Sequence, residues 1–137
     1  MRKNIVFQAI AAIALFVLGF GTGLVAQTGS DSPQRVEQKR ADLSGAPGME
    51  VIASIAEYQP GQGNSLHSHH GVEAAYVIHG ARVVGMDQQE REIATGTTIL
   101  NLRDAKHSGF KVVGDTSLKL FTVHVVDKGK LLYDYAN

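Results

Sequence analysis

Two kinds of hydrophobic patterning divide the chain. Residues 5–26 form one uncharged apolar stretch behind Arg2 and Lys3, and the polar run QTGSDSPQRVEQKR follows it. From Met49 onward, apolar and polar positions alternate in short runs bounded by glycine, proline and aspartate turns. Successive side chains of a strand point to opposite faces, so a period of two predicts strands rather than helices. The expected strands are MEVIASIAEY at 49–58, then 65–69, 72–78, 81–86, 92–94, 98–102, 109–113 and 117–126. Short strands at this spacing predict an all-β fold, a single small antiparallel β-barrel or jelly roll. The one long helix expected is the apolar leader that precedes it.

A positively charged start followed by an apolar run reads as a signal peptide over residues 1–26, with Ala26 as its last residue. The stretch is also long enough to span a bilayer, which makes a retained membrane anchor the alternative. Glycines 19, 21 and 23 loosen the end of the helix and favour cleavage. Both readings place the folded part outside the cytoplasm, periplasmic or secreted, and anchored only if the leader is kept. Residues 27–42 carry a proline and show no apolar period, so they read as a flexible linker. The barrel domain is expected over residues 43–137.

Composition narrows the partners. Thirteen basic residues balance thirteen acidic ones, which leaves no electrostatic footprint for nucleic acid. Membrane contact is expected only through an uncleaved leader, and the ligand is expected to be a small molecule. There is no cysteine, hence no disulfide and no thiol nucleophile. No serine sits in a GxSxG elbow and no phosphate-binding glycine loop is present. A domain of roughly 110 residues buries about two thirds of its unfolded surface, enough for a stable fold, and a homodimer would add to that stability.

Any chemistry is therefore expected from a metal. In GQGNSLHSHHGVEAAYVIHG, His67 and His69 stand two apart and Glu73 follows four residues later. Residues two apart on a strand share a face, so the two imidazoles can aim at one point. A carboxylate from the next segment and a third imidazole would complete a divalent site of three nitrogens and one oxygen. His107, after TTILNL and a polar turn, is the candidate third imidazole.

With these residues the sequence resembles the cupin superfamily, in particular its small single-domain members. Gly61, His67, His69, Glu73 and Gly80 meet every position of the first cupin motif. Of the second motif Gly96 and His107 are kept, while Leu102 replaces the proline, Asp104 the turn glycine and Lys111 the asparagine. Aspartate tolerates the left-handed backbone better than most residues, so the turn at Asp104 can survive. The resemblance spans roughly residues 51–126. It implies a small β-barrel in which His67, His69, Glu73 and His107 bind a divalent metal, iron or manganese first, with nickel, zinc and copper also found in the family.

Other candidates read more plainly. His70 has the wrong parity for the clamp and is expected to face solvent, and His79 is expected at the rim. His124, in LFTVHVV, is expected to face the interior as a core histidine able to hydrogen-bond a ligand. If Glu73 points inward, so do Ala75, Val77 and His79, while Ala74, Tyr76 and Ile78 face outward toward a second layer or a partner. Arg82, Arg103 and Lys111 are the cations nearest the motifs, each expected as a solvated surface charge. Tyr58, Tyr76, Tyr133 and Tyr135 are expected as packing residues.

Two functions follow for one site. The first is a metal-dependent oxygenase on a small organic acid, enol or phenol, using positions that the four protein ligands leave open. The alternative is a non-enzymatic module that holds a metal or a metal-chelated ligand. A third role, in which the metal only stabilises the barrel, uses the same residues. No second acid or base accompanies the ligands, which weighs against decarboxylase-like or epimerase-like proton transfer.

Overall fold

The computed structural model describes residues 31–135. The predicted signal or anchor segment, residues 1–26, lies outside them. Among the described residues there is no helix, and eleven strands are connected by turns.

The strands are β1 (Val36–Asp42), β2 (Met49–Tyr58), β3 (Gly63–Asn64), β4 (His67–Ser68), β5 (Gly71–His79), β6 (Ala81–Gly85), β7 (Glu90–Ile93), β8 (Thr98–Asn101), β9 (Phe110–Val113), β10 (Leu118–Asp127) and β11 (Asp134–Tyr135). They form a five-stranded sheet in the order β1-β2-β10-β5-β8, a four-stranded sheet in the order β3-β9-β6-β7, and a ribbon of β11 with β4. Every pairing is antiparallel. The strands predicted from alternation fall within a residue or two of these, except that of the expected strand over 65–69 only His67–Ser68 is strand, with Gly63–Asn64 forming a separate one.

The alternation works as the pattern requires. Glu50, Ile52, Ser54, Ala56 and Tyr58 of β2 are buried, as are Leu118, Leu120, Thr122, His124 and Val126 of β10. Ala56, Tyr58, Val77, Leu118 and Leu120 of the larger sheet join Ala81, Val83 and Val112 of the smaller one in a single core. On β5, Glu73, Ala75 and Val77 are buried, whereas Tyr76 and Ile78 are exposed on the outer face. Gly80 fits where β5 turns into β6 because a side-chain carbon there would run into the backbone of Ile93 and Thr95.

The linker expected over residues 27–42 is corrected in its second half. Residues Val36–Asp42 form the edge strand β1, paired with β2 from Val36↔Ile55 to Asp42↔Glu50 around a bulge between Glu37 and Lys39. All seven residues are exposed, so no face is marked by apolar side chains and the strand has no period-two signature. The segment before it is also attached: Arg35 donates to Thr122 Oγ1 at 3.0 Å and Tyr58 OH donates to Asp31 at 3.1 Å.

Candidate metal centre

The backbone brings the motif residues together in pairs. His67 and His107 form an isolated antiparallel bridge, with amide-to-carbonyl distances of 3.1 and 2.8 Å. The Asp104 amide donates to the His69 carbonyl at 3.0 Å. Asp104 adopts φ 59°, the left-handed turn in which it stands for the family's glycine. Glu73 on β5 lies opposite Asn101 of β8 and His124 of β10.

His67, His69, Glu73 and His107 each offer a ligand atom, and those atoms lie within 4.8 Å of one another. His67 and His69 are 1% and 0% exposed, so the pair sits wholly inside. Each of the three rings has Nδ1 against a backbone carbonyl: His67 to Ser65 at 2.7 Å, His69 to Leu132 at 2.6 Å and His107 to Ala105 at 2.9 Å. A carbonyl can only accept, so Nδ1 carries the proton and Nε2 presents its lone pair. Nε2 of all three rings is buried without a hydrogen-bond partner. This is the tautomer and second contact that metal-binding histidines use.

Glu73 completes the set. Its Oε2 lies 3.3 Å from His69 Nε2 and 3.4 Å from His107 Nε2, and accepts from Asn101 Nδ2 at 2.7 Å. Burial alone would push its carboxyl up, but in the metal-free protein the His107, His124 and His69 imidazoles, when doubly protonated and donating from Nε2, outweigh this and hold it well below the usual carboxylate range. Burial pushes His67 down to about 4, which keeps that imidazole neutral at pH 7. Three buried, unpartnered nitrogen lone pairs around an ionised carboxylate are the donor chemistry that a divalent first-row metal takes. The residues fit such an ion.

The remaining candidates separate clearly. His124 points inward and is fully buried, with Nε2 3.3 Å from Glu73 Oε1 and neither nitrogen in a regular hydrogen bond. The interior direction expected for it holds, but its neighbours are Glu73 and His69 of the candidate cluster. His70 lies between Asp104 and Asp134 at 3.7 and 3.9 Å, partly exposed. His79, expected at the rim, is exposed at the strand end with Nδ1 3.0 Å from the Ser117 carbonyl, and so leaves the inner face that strand parity with Glu73 suggested. Arg82 pairs with Glu90 and Arg103 with Asp127 on the surface. Lys111 is exposed between inward Phe110 and Val112.

Three contributors were not legible as site residues. Tyr133, expected only to pack, lays its ring against His67 and His69 at centroid distances of 4.6 and 5.0 Å. Leu132 fixes the His69 tautomer through its carbonyl, which leaves no trace in side-chain identity. Arg35 reaches Tyr133 OH from the supposed linker. Beside the cluster lies a cavity of 210 Å³, bounded by Glu73, Asn101 and His107, by Arg35, Tyr58 and Asn64, and by an apolar wall that includes Ala75, Ile99 and Leu120.

Sequence comparison defines the class. Residues 54–124 match the family model described as Cupin domain, and the chain belongs to the cupin family. Among solved structures it resembles an uncharacterized conserved protein with a double-stranded β-helix domain from Klebsiella pneumoniae, with 13% identity, coverage of 77% of this chain and 86% of that one, and a TM-score of 0.56. A cupin-like protein from Thermotoga maritima shows 15% identity, 82% and 88% coverage and a TM-score of 0.52. The polyketide cyclase RemF from Streptomyces resistomycificus shows 17% identity, 80% and 77% coverage and a TM-score of 0.51. At these identities the likeness is one of fold. No curated protein matches the chain.

Proposed function

We propose that the protein is an exported cupin that holds a divalent metal on His67, His69, Glu73 and His107 and acts as an oxygenase on a small organic molecule. The observation that carries the metal reading is the trio of buried, unpartnered Nε2 atoms around ionised Glu73, each ring locked by a carbonyl at Nδ1. Iron or manganese best suits redox use of this donor set. A bound metal of that kind supplies a Lewis acid and one-electron exchange with a chelated substrate.

The chain's own groups hold the geometry. Asn101 fixes one Glu73 oxygen, the three carbonyls fix the rings, and the apolar wall limits water around the substrate. Oxygen chemistry is favoured over proton transfer by what else bounds the cavity. Apart from Glu73 and His107, the ionisable groups there are Arg35 and Tyr58. Burial pushes the Tyr58 hydroxyl up, and Arg35 stays charged, so neither exchanges a proton readily near pH 7.

Elemental analysis is expected to give about one metal per chain, lost in a His67→Ala, His69→Ala double variant. The iron or manganese form is then expected to consume dioxygen in an oxygen electrode when offered a small enol, catechol or keto acid. No consumption by either form, with a small molecule binding equally well to the zinc form, would replace the oxygenase with a binding module. Export is supported by Arg2, Lys3 and the apolar residues 5–26. A reporter fused after Asn137 that stayed in the cytoplasm would refute it.

A further inference from the structure

The outer face of the five-stranded sheet is apolar across its whole width. Register places Val36, Ile55, Phe121, Tyr76 and Thr98 in one row that crosses all five strands. The next row runs Ala53, Val123, Ala74 and Leu100, and the one beyond it Val51, Val125 and Val72. Parity turns these side chains away from the core, because the residues that alternate with them, such as Ser54, Thr122 and Ala75, are the buried ones. Phe121, Tyr76, Val36 and Leu100 are 38%, 48%, 56% and 65% exposed. Charge stands at the margins, where Glu57 and Lys119 pair with each other at 3.5 Å and Lys39 lies on the edge strand β1.

With strands about 4.8 Å apart and outward residues about 6.8 Å apart along each, the face measures roughly 24 by 20 Å, or about 500 Å². A monomer rarely exposes a contiguous apolar patch of more than a few hundred Å². Two such faces together reach about 1,000 Å², the area at which a specific interface becomes stable. Relief and twist select the occupant. Phe121 and Tyr76 form a ridge, and beside it Ala74, Leu100 and Val123 border a hollow of 420 Å³. A two-fold axis between ridge and hollow seats each ridge in the other copy's hollow, so one surface supplies both halves of the fit. Stacked sheets align within about 30° of each other because each is twisted, a condition that two identical sheets meet. A face without charge in its middle offers nothing to a charged partner.

We infer that this face packs on the same face of a second copy, giving a two-fold dimer of barrels set back to back. The covered strands β5, β8 and β10 carry Glu73, Asn101 and His124 on their other side, so the contact braces the back of the candidate metal centre. The inference stands on the sheet alone and does not require the metal reading.

Light scattering on the protein made from the full chain is expected to give twice the subunit mass. Leu100→Lys and Phe121→Lys each set a charge on the covered face at an already exposed position, and each should halve that mass without changing the circular dichroism. The chain has no cysteine, so a single Ala74→Cys thiol reports on the hollow directly, with Glu92→Cys on the smaller sheet as control. The Ala74→Cys thiol should react more slowly with a maleimide as the protein is concentrated, while the control keeps its rate. A monomeric wild-type protein would overturn the inference, whether the thiol in the hollow is open or shielded by another part of the chain. A dimer that survives both lysine variants would overturn it as well, because the copies would then meet elsewhere.

Discussion

Replacing Tyr133 with alanine removes a ring that touches the histidine cluster from the segment just before β11, far away in sequence. The ring packs on His67, His69 and His124 at centroid distances of 4.6, 5.0 and 6.1 Å, and its hydroxyl meets Arg35. Truncating a large buried aromatic costs about 3–5 kcal/mol. The same loss loosens Leu132, whose carbonyl fixes the His69 tautomer, and contacts of that kind change metal affinity by about 10- to 100-fold. Tyr133→Phe keeps the ring and loses only the contact to Arg35, worth about 1.5–3 kcal/mol for a charged hydrogen bond. Urea unfolding of the metal-free forms and zinc titration of both variants separate the two effects. The alanine variant is expected to lose stability and metal affinity together, and the phenylalanine variant mainly stability. Wild-type zinc affinity in a folded, destabilised Tyr133→Ala protein would refute the claim that the tail orients His69.

Asn101→Ala removes the 2.7 Å donor to Glu73 Oε2 and should weaken zinc binding about tenfold by calorimetry. Metal-free protein should lose stability as pH falls from about 6.5 toward about 4, because the unfolded chain takes up a proton that folded His67 refuses. His107, raised by Glu73 although burial opposes it, acts in the other sense, its contribution present at low pH and lost as pH rises through its raised value. Urea midpoints at pH 7, 5.5 and 4 read the net effect, and a midpoint that rises on acidification would exclude dominance by His67. Gly80→Ala should cost about 1–3 kcal/mol through its clash with the Ile93 backbone, read as a lower urea midpoint.

What the sequence determined by itself is what local geometry repeats. Strand parity put His67 and His69 on one side and Glu73 with Ala75, and alternation marked β2, β5 and β10 because each buries one face. The turn at Asp104 was legible because few residues other than glycine accept a left-handed backbone. The tertiary structure alone decided β1, whose seven exposed residues are held as a strand by backbone bonds to β2 rather than by an apolar face. It also decided that Leu132 and Tyr133 close on the histidines, that His124 meets Glu73, and that Arg35 reaches the interior. Hydrophobic pattern records which face of a segment is buried. It does not record which distant segment covers that face, nor a contact made through a backbone carbonyl, since neither changes the period of the side chains.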